Sequence, residues 1–181
     1  MNNVKDFGDY SVKNVKSFMG MEGYGFNCSL YRNGKKVGFC IDDASGGDMH
    51  PIQWDRNIDW KEEQRLLNAH VKSLPKVKSS FGNGKEMELT IDEGWFVTEL
   101  VNKWELDRDI RKMKKQCSAK TLFRHSNCKR GSYMILGSPY SDEVKARLIR
   151  EHGKDVEIFN EVLERGELPS VFKPLPSPTE V

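Results

Sequence analysis

Three aspartates and a histidine, Asp42, Asp43, Asp48 and His50, stand within nine residues of one another. Carboxylates grouped at the end of a strand can hold a divalent cation and activate water for phosphodiester hydrolysis. Such chemistry also uses a lysine beside the acids, and Lys35 and Lys36 are the candidates in the preceding strand. The same stretch contains Gly46 and Gly47, so it reads equally as a turn whose aspartates bond their own backbone. Cys117, His125 and Cys128 are the other metal-like group. A structural zinc takes four protein ligands with closer paired spacing, and the next candidate, His152, is distant in the chain. Cys117 is therefore expected to end a helix stripe, and Cys128 to sit in a hairpin loop. The glycines of Gly20-Met-Glu-Gly23-Tyr-Gly25 precede a strand, whereas a phosphate loop opens a helix. They are expected to supply positive φ around a Tyr24 plug. No Gly-x-Ser-x-Gly elbow is present, and no spacing makes Cys40 and His50 meet as a thiol–imidazole pair.

A second kind of chemistry is ionic. Between Lys103 and Arg130 there are ten basic and three acidic side chains, whereas from Asp142 onward there are nine acidic and six basic. The whole chain has 29 basic and 27 acidic side chains, a formal charge of +2. This balance disfavours an acidic mimic of DNA and a uniformly basic packaging protein. The local excess makes Arg111, Lys112, Lys115, Lys129 and Arg130 candidate binding residues, for phosphate groups or for an acidic protein surface. Part of it also suits the macrodipole at a helix C-terminus. Phe123 and Tyr133 are candidates to stack on bases if their face is exposed, with Phe123 at least as well suited to the core. No catalytic residue, cofactor or metal is assigned.

These residues need elements to hold them. Asn33-Gly34 between two alternating segments signals a two-residue hairpin turn. Arg32 then opposes Lys35, and counting back pairs Leu30 with Val37, Cys28 with Phe39 and Phe26 with Ile41. In that register Cys28 faces the core and Cys40 faces away, which rejects a Cys28–Cys40 disulfide. Val12–Met19 and Ile52–Trp54 read as further strands. Trp60–Leu74 reads as a helix capped by Asp59 and closed by Pro75. Ser79–Lys85 reads as a polar link and Glu86–Ile91 as a strand or entry segment. A long helix follows, capped by Thr90 or Asp92 and running to Gln116, with the stripe Phe96, Leu100, Trp104, Ile110, Met113 and Cys117. Thr121–His125 and Ser132–Leu136 form a second hairpin with the basic loop Asn127–Gly131. Ser141 caps a helix through Arg150, and Val156–Leu163 is a last helix or strand.

The expected class is α+β: a small antiparallel sheet built from hairpins, packed by a long amphipathic helix and shorter helices. The 181 residues are read as one domain over residues 1–168, followed by a proline-rich extended tail over 169–181. No run approaches the roughly 20 apolar residues of a membrane span, and no leader pattern opens the chain, so a cytoplasmic protein with no membrane partner is expected.

The segment Val15–Asn27, Val-Lys-Ser-Phe-Met-Gly-Met-Glu-Gly-Tyr-Gly-Phe-Asn, with the hairpin through Asp43, resembles small uncharacterised proteins of bacteriophages and mobile elements. Segment Lys120–Tyr140 is similar in texture, and together these cover about a third of the chain. The resemblance carries no catalytic residue. It implies a regulator of phage development or an inhibitor of a bacterial defence system, including CRISPR nucleases. The expected function is a non-catalytic binding protein that inhibits or regulates a nucleic-acid-handling complex. Its partner would be a protein or nucleoprotein, with nucleic acid a further candidate, and no pattern assigns an oligomeric state. The alternative is a divalent-metal-dependent nuclease or phosphoesterase using Asp42, Asp43 and Asp48.

Overall fold

The computed structural model describes residue 4, residues 6–80 and residues 86–173. It is an α+β protein whose antiparallel strands, among the described residues, are distributed over three sheets. The chain divides into two compact units, Met1–Glu105 and Leu106–Val181.

The first unit is built on a four-stranded meander. Strands β1 (Tyr10–Met19), β2 (Tyr24–Arg32), β3 (Lys35–Asp42) and β4 (Gln53–Trp54) lie side by side in that order. Asn33 and Gly34 turn the chain with φ of 49° and 74°. Positive φ at both positions is what a tight hairpin turn asks for, and Asn-Gly supplies it at little steric cost. Arg32 opposes Lys35, as the turn dictates. One residue further on, the expected register fails. Tyr31 pairs with Lys36 but Leu30 pairs with Gly38, so Val37 is extra and β3 bulges. Every later side chain of β3 changes face. Cys28 therefore lies directly opposite Cys40, and both are fully buried free thiols. The Cys28 side chain and then burial push the Cys40 thiol up. Phe39 and Ile41, expected inside, are only half-buried.

Helix α1 (Trp60–Ser73) begins at Asp59, whose carboxylate accepts from the Lys61 and Glu62 amides. It ends before Pro75, with Leu74 extended. Strands β5 (Val77–Ser80) and β6 (Glu86–Leu89) pair as a separate ribbon, so the link expected over Ser79–Lys85 begins in strand, and residues 81–85 lie outside the described ones. Helix α2 (Glu93–Cys117) is capped by Asp92, whose Oδ1 accepts from the Trp95 amide at 2.7 Å. Phe96, Val97, Leu100 and Val101 of α2 join Phe26, Cys28, Leu30, Cys40, Leu67 and Val71 in one core.

The second unit takes the remainder of α2. Strands β7 (Thr121–Arg124), β8 (Met134–Leu136) and β9 (Glu157–Ile158) form an antiparallel sheet with β7 in the middle. Helix α3 (Asp142–His152) is capped by Ser141, and helix α4 (Phe159–Glu164) follows β9 at once. Val156–Leu163 is thus strand and then helix. Met113, Leu122, Phe159 and Leu163 form one core, and Phe123, Leu148 and Ile158 a smaller one. At the expected proline-rich tail Pro169 is buried, and Ser170–Phe172 make a 3-10 turn held by the Glu157 carboxylate. Residues 174–181 lie outside the described ones.

Candidate binding surface

The five basic residues sit on two elements of the second unit. Met113 is buried, with Ile110 and Cys117 packed against its cluster, and these define the inner face of the last turns of α2. At 100° per residue, Arg111 and Lys115 fall on the face away from Met113, and Lys112 on its flank. All three are exposed. Lys129 and Arg130 are exposed in the β7–β8 loop. Two turns shape that loop: the Cys128 amide donates to the His125 carbonyl, and the Ser132 amide and hydroxyl donate to the Lys129 carbonyl. Gly131, at φ 71°, makes the second turn possible. Tyr133 then enters the core beside the Phe159 ring, at 5.5 Å between centroids. Among the described residues none of the five cations has a carboxylate within ion-pair distance.

Asn160 ties the end of α2 to β7, the strand that leads into the basic loop. Its Oδ1 accepts from the Leu122 amide at 2.9 Å, and its Nδ2 donates to the Cys117 and Lys120 carbonyls at 3.1 and 2.9 Å. One side chain thereby satisfies an orphan carbonyl at the end of α2 and the first turn into β7. Base stacking is not available on this surface in the form expected. Phe123 is buried, and Tyr133 is half-buried against Phe159.

The other sequence candidates are placed differently. Asp42 Oδ1 accepts from the Ala44 amide, and Asp43 Oδ1 from the Ser45 amide and hydroxyl. Asp43 Oδ2 meets His50 Nε2 at 3.0 Å. The Ser45 and His50 bonds hold the Asp43 carboxyl down at about 2. Asp42 and Asp48 line a groove of about 600 Å3, to which Lys72 of α1 contributes the cation. Lys35 and Lys36 begin the strand that Asp42 ends, roughly 20 Å away along β3 at about 3.3 Å per residue. They cannot serve these acids. No group of three or more His, Cys, Asp or Glu among the described residues is arranged to hold a metal ion. Cys40 faces Cys28, not His50.

His125 and His152, far apart in sequence, stack at 4.5 Å and 11°. Their stacking, the Asp43–His50 pair and Asn160 all depend on chain-distant or loop geometry that no spacing rule reports. Tyr24, expected as a plug, is 78% exposed. No helix among the described residues is long and apolar enough to cross a membrane. Comparison with protein-family models, with curated proteins and with solved structures finds no match.

Proposed function

We propose that this is a non-catalytic binding protein that regulates or inhibits a nucleic-acid-handling complex, and that the second unit meets phosphate groups there through Arg111, Lys112, Lys115, Lys129 and Arg130. The observation that carries the reading is the set of five exposed cations without an ion-pair partner among the described residues, on two elements that share one core. A cation already paired with a carboxylate gives up that pair to bind phosphate; these do not have to. Phosphate recognition of this kind orients a ligand without reading its sequence. The setting proposed is a bacterial defence complex such as a CRISPR nuclease, in line with the phage-like texture of residues 15–43 and 120–140. Fluorescence anisotropy of a labelled single-stranded oligonucleotide and of its duplex tests the interaction. The wild-type chain should bind at low salt, and K112E/K115E/R130E should bind far more weakly while keeping its unfolding midpoint, because exposed charges contribute little to stability. Equal affinity of the two proteins would return these charges to an ordinary solvated face.

A further inference from the structure

The β1–β2 hairpin ends in a patch of opposite character to the basic surface. Met19, Met21 and Tyr24 are 65%, 95% and 78% exposed. They are three of the eight exposed large apolar side chains among the described residues, and they fall within six consecutive positions. Scattered exposed apolar residues are ordinary, whereas a contiguous group marks an interaction surface.

The tip is held in place. The Gly20 amide donates to the Gly23 carbonyl, and the Glu22 amide to the Ala44 carbonyl. Met19 and Tyr24 are cross-strand partners, as are Ser17 and Phe26, so these four share one side of the hairpin. On that side a hollow of about 260 Å3 opens between Tyr24, Phe26 and Asp42 of the sheet and Val101, Asn102 and Glu105 of α2. A cavity of about 150 Å3 takes a benzene ring, so this one accommodates a large apolar side chain. Lys16 and Phe18 lie on the other side.

Charge chooses the occupant. Asp42 and Glu105 line the hollow and Glu22 is exposed at the tip, and among the described residues none of the three has a lysine or arginine within 4 Å. Phosphate is repelled here. A symmetric tip-to-tip pair of chains would bring two sets of these carboxylates together, which is also unfavourable. We propose that the hairpin tip is a docking ledge for a basic, amphipathic segment of a partner protein, with one apolar side chain of that segment in the hollow and its lysines or arginines on these carboxylates. The two methionines adapt their shape to the partner, and Tyr24 provides a rigid anchor.

The test is anisotropy of the full chain with a labelled amphipathic lysine–leucine peptide, its scrambled version and a glutamate–leucine counterpart. The amphipathic basic peptide should bind about tenfold tighter than the scrambled one, and the acidic one should not bind. M19S/M21S/Y24S should lose about tenfold in affinity, and E22K should weaken binding with no apolar change. All these positions are solvent-exposed at the tip, and thermal melts of the variants should match the wild type. Binding of the scrambled peptide or by the triple variant at wild-type affinity would overturn the proposal. So would wild-type self-association in sedimentation that M19S/M21S/Y24S abolishes, because the occupant would then be a second copy. The peptide assay reads the first unit alone, so its failure is distinct from failure of oligonucleotide binding by the second.

Discussion

Asp43 sits in a turn of its own making. Ser45 gives its carboxylate two hydrogen bonds and His50 a third, and the group is held down at about 2. All three bonds favour the charged form, and the Ser45 hydroxyl is the largest influence. The unfolded chain offers the usual carboxylate value of about 3.9. The stabilisation linked to this group is therefore present above that value and fades as pH falls toward 2. Carboxyl NMR of the wild type should place the midpoint near 2, and Ser45→Ala should move it up toward the ordinary range. A midpoint unaffected by Ser45→Ala would show that the turn is not what holds the proton off. The same bonds bear on hydrolytic chemistry. With Asp42 and Asp43 committed to backbone and to His50, calorimetric titration with Mn²⁺ or Mg²⁺ should give no saturable heat. Saturable binding that D42N/D43N removes would restore the nuclease reading.

The connection between α2 and β7 hangs on a single polar side chain. Asn160→Ala leaves the Leu122 amide and the Cys117 and Lys120 carbonyls without their partner. The loss should be roughly 1–3 kcal/mol, read as a lower midpoint in urea unfolding. Asn160→Asp keeps only the acceptor for Leu122 and faces two carbonyls with a charge, so it should fall at least as far. An unchanged midpoint for Asn160→Ala would mean that β7 is placed by apolar packing alone. Sequence reading missed this residue because a polar position in a six-residue helix carries no periodic signal. It found the α2 cap, the Asn33-Gly34 turn and the second hairpin, because each depends on local backbone preferences. It misplaced Cys40 for an equally physical reason. Val37, Gly38, Phe39, Cys40 and Ile41 are apolar on both faces, so the pattern does not distinguish one register from its neighbour. The bulge at Val37 decides, and Gly38 fits there because a side chain would crowd Ile52 and the Gln53 carbonyl.

Charge is divided between the two units in a way that the total of +2 hides. Residues 1–105 carry fourteen basic and sixteen acidic side chains, and residues 106–181 fifteen and eleven. The basic residues of the surface were legible as a local excess in sequence. Their freedom from carboxylates was not, because ion pairing depends on which side chains the fold brings together. In the second unit three of the acids are engaged elsewhere: Glu161 takes Lys145 and the Tyr140 hydroxyl, Glu151 takes Arg147, and Glu167 takes Arg165. Arg111, Lys112, Lys115, Lys129 and Arg130 have no such partner among the described residues, which is why a polyanion is the ligand proposed for them.

The salt dependence of oligonucleotide binding tests that claim most directly. Removing one cation that pairs with a phosphate of single-stranded nucleic acid makes the slope of log K against log salt concentration shallower by about 0.7. Wild type and K112E/K115E/R130E should therefore differ in slope by roughly 2, with the affinities converging as salt rises and the charges are screened. Superimposable lines for the two proteins, or no salt dependence in the wild type, would contradict the account.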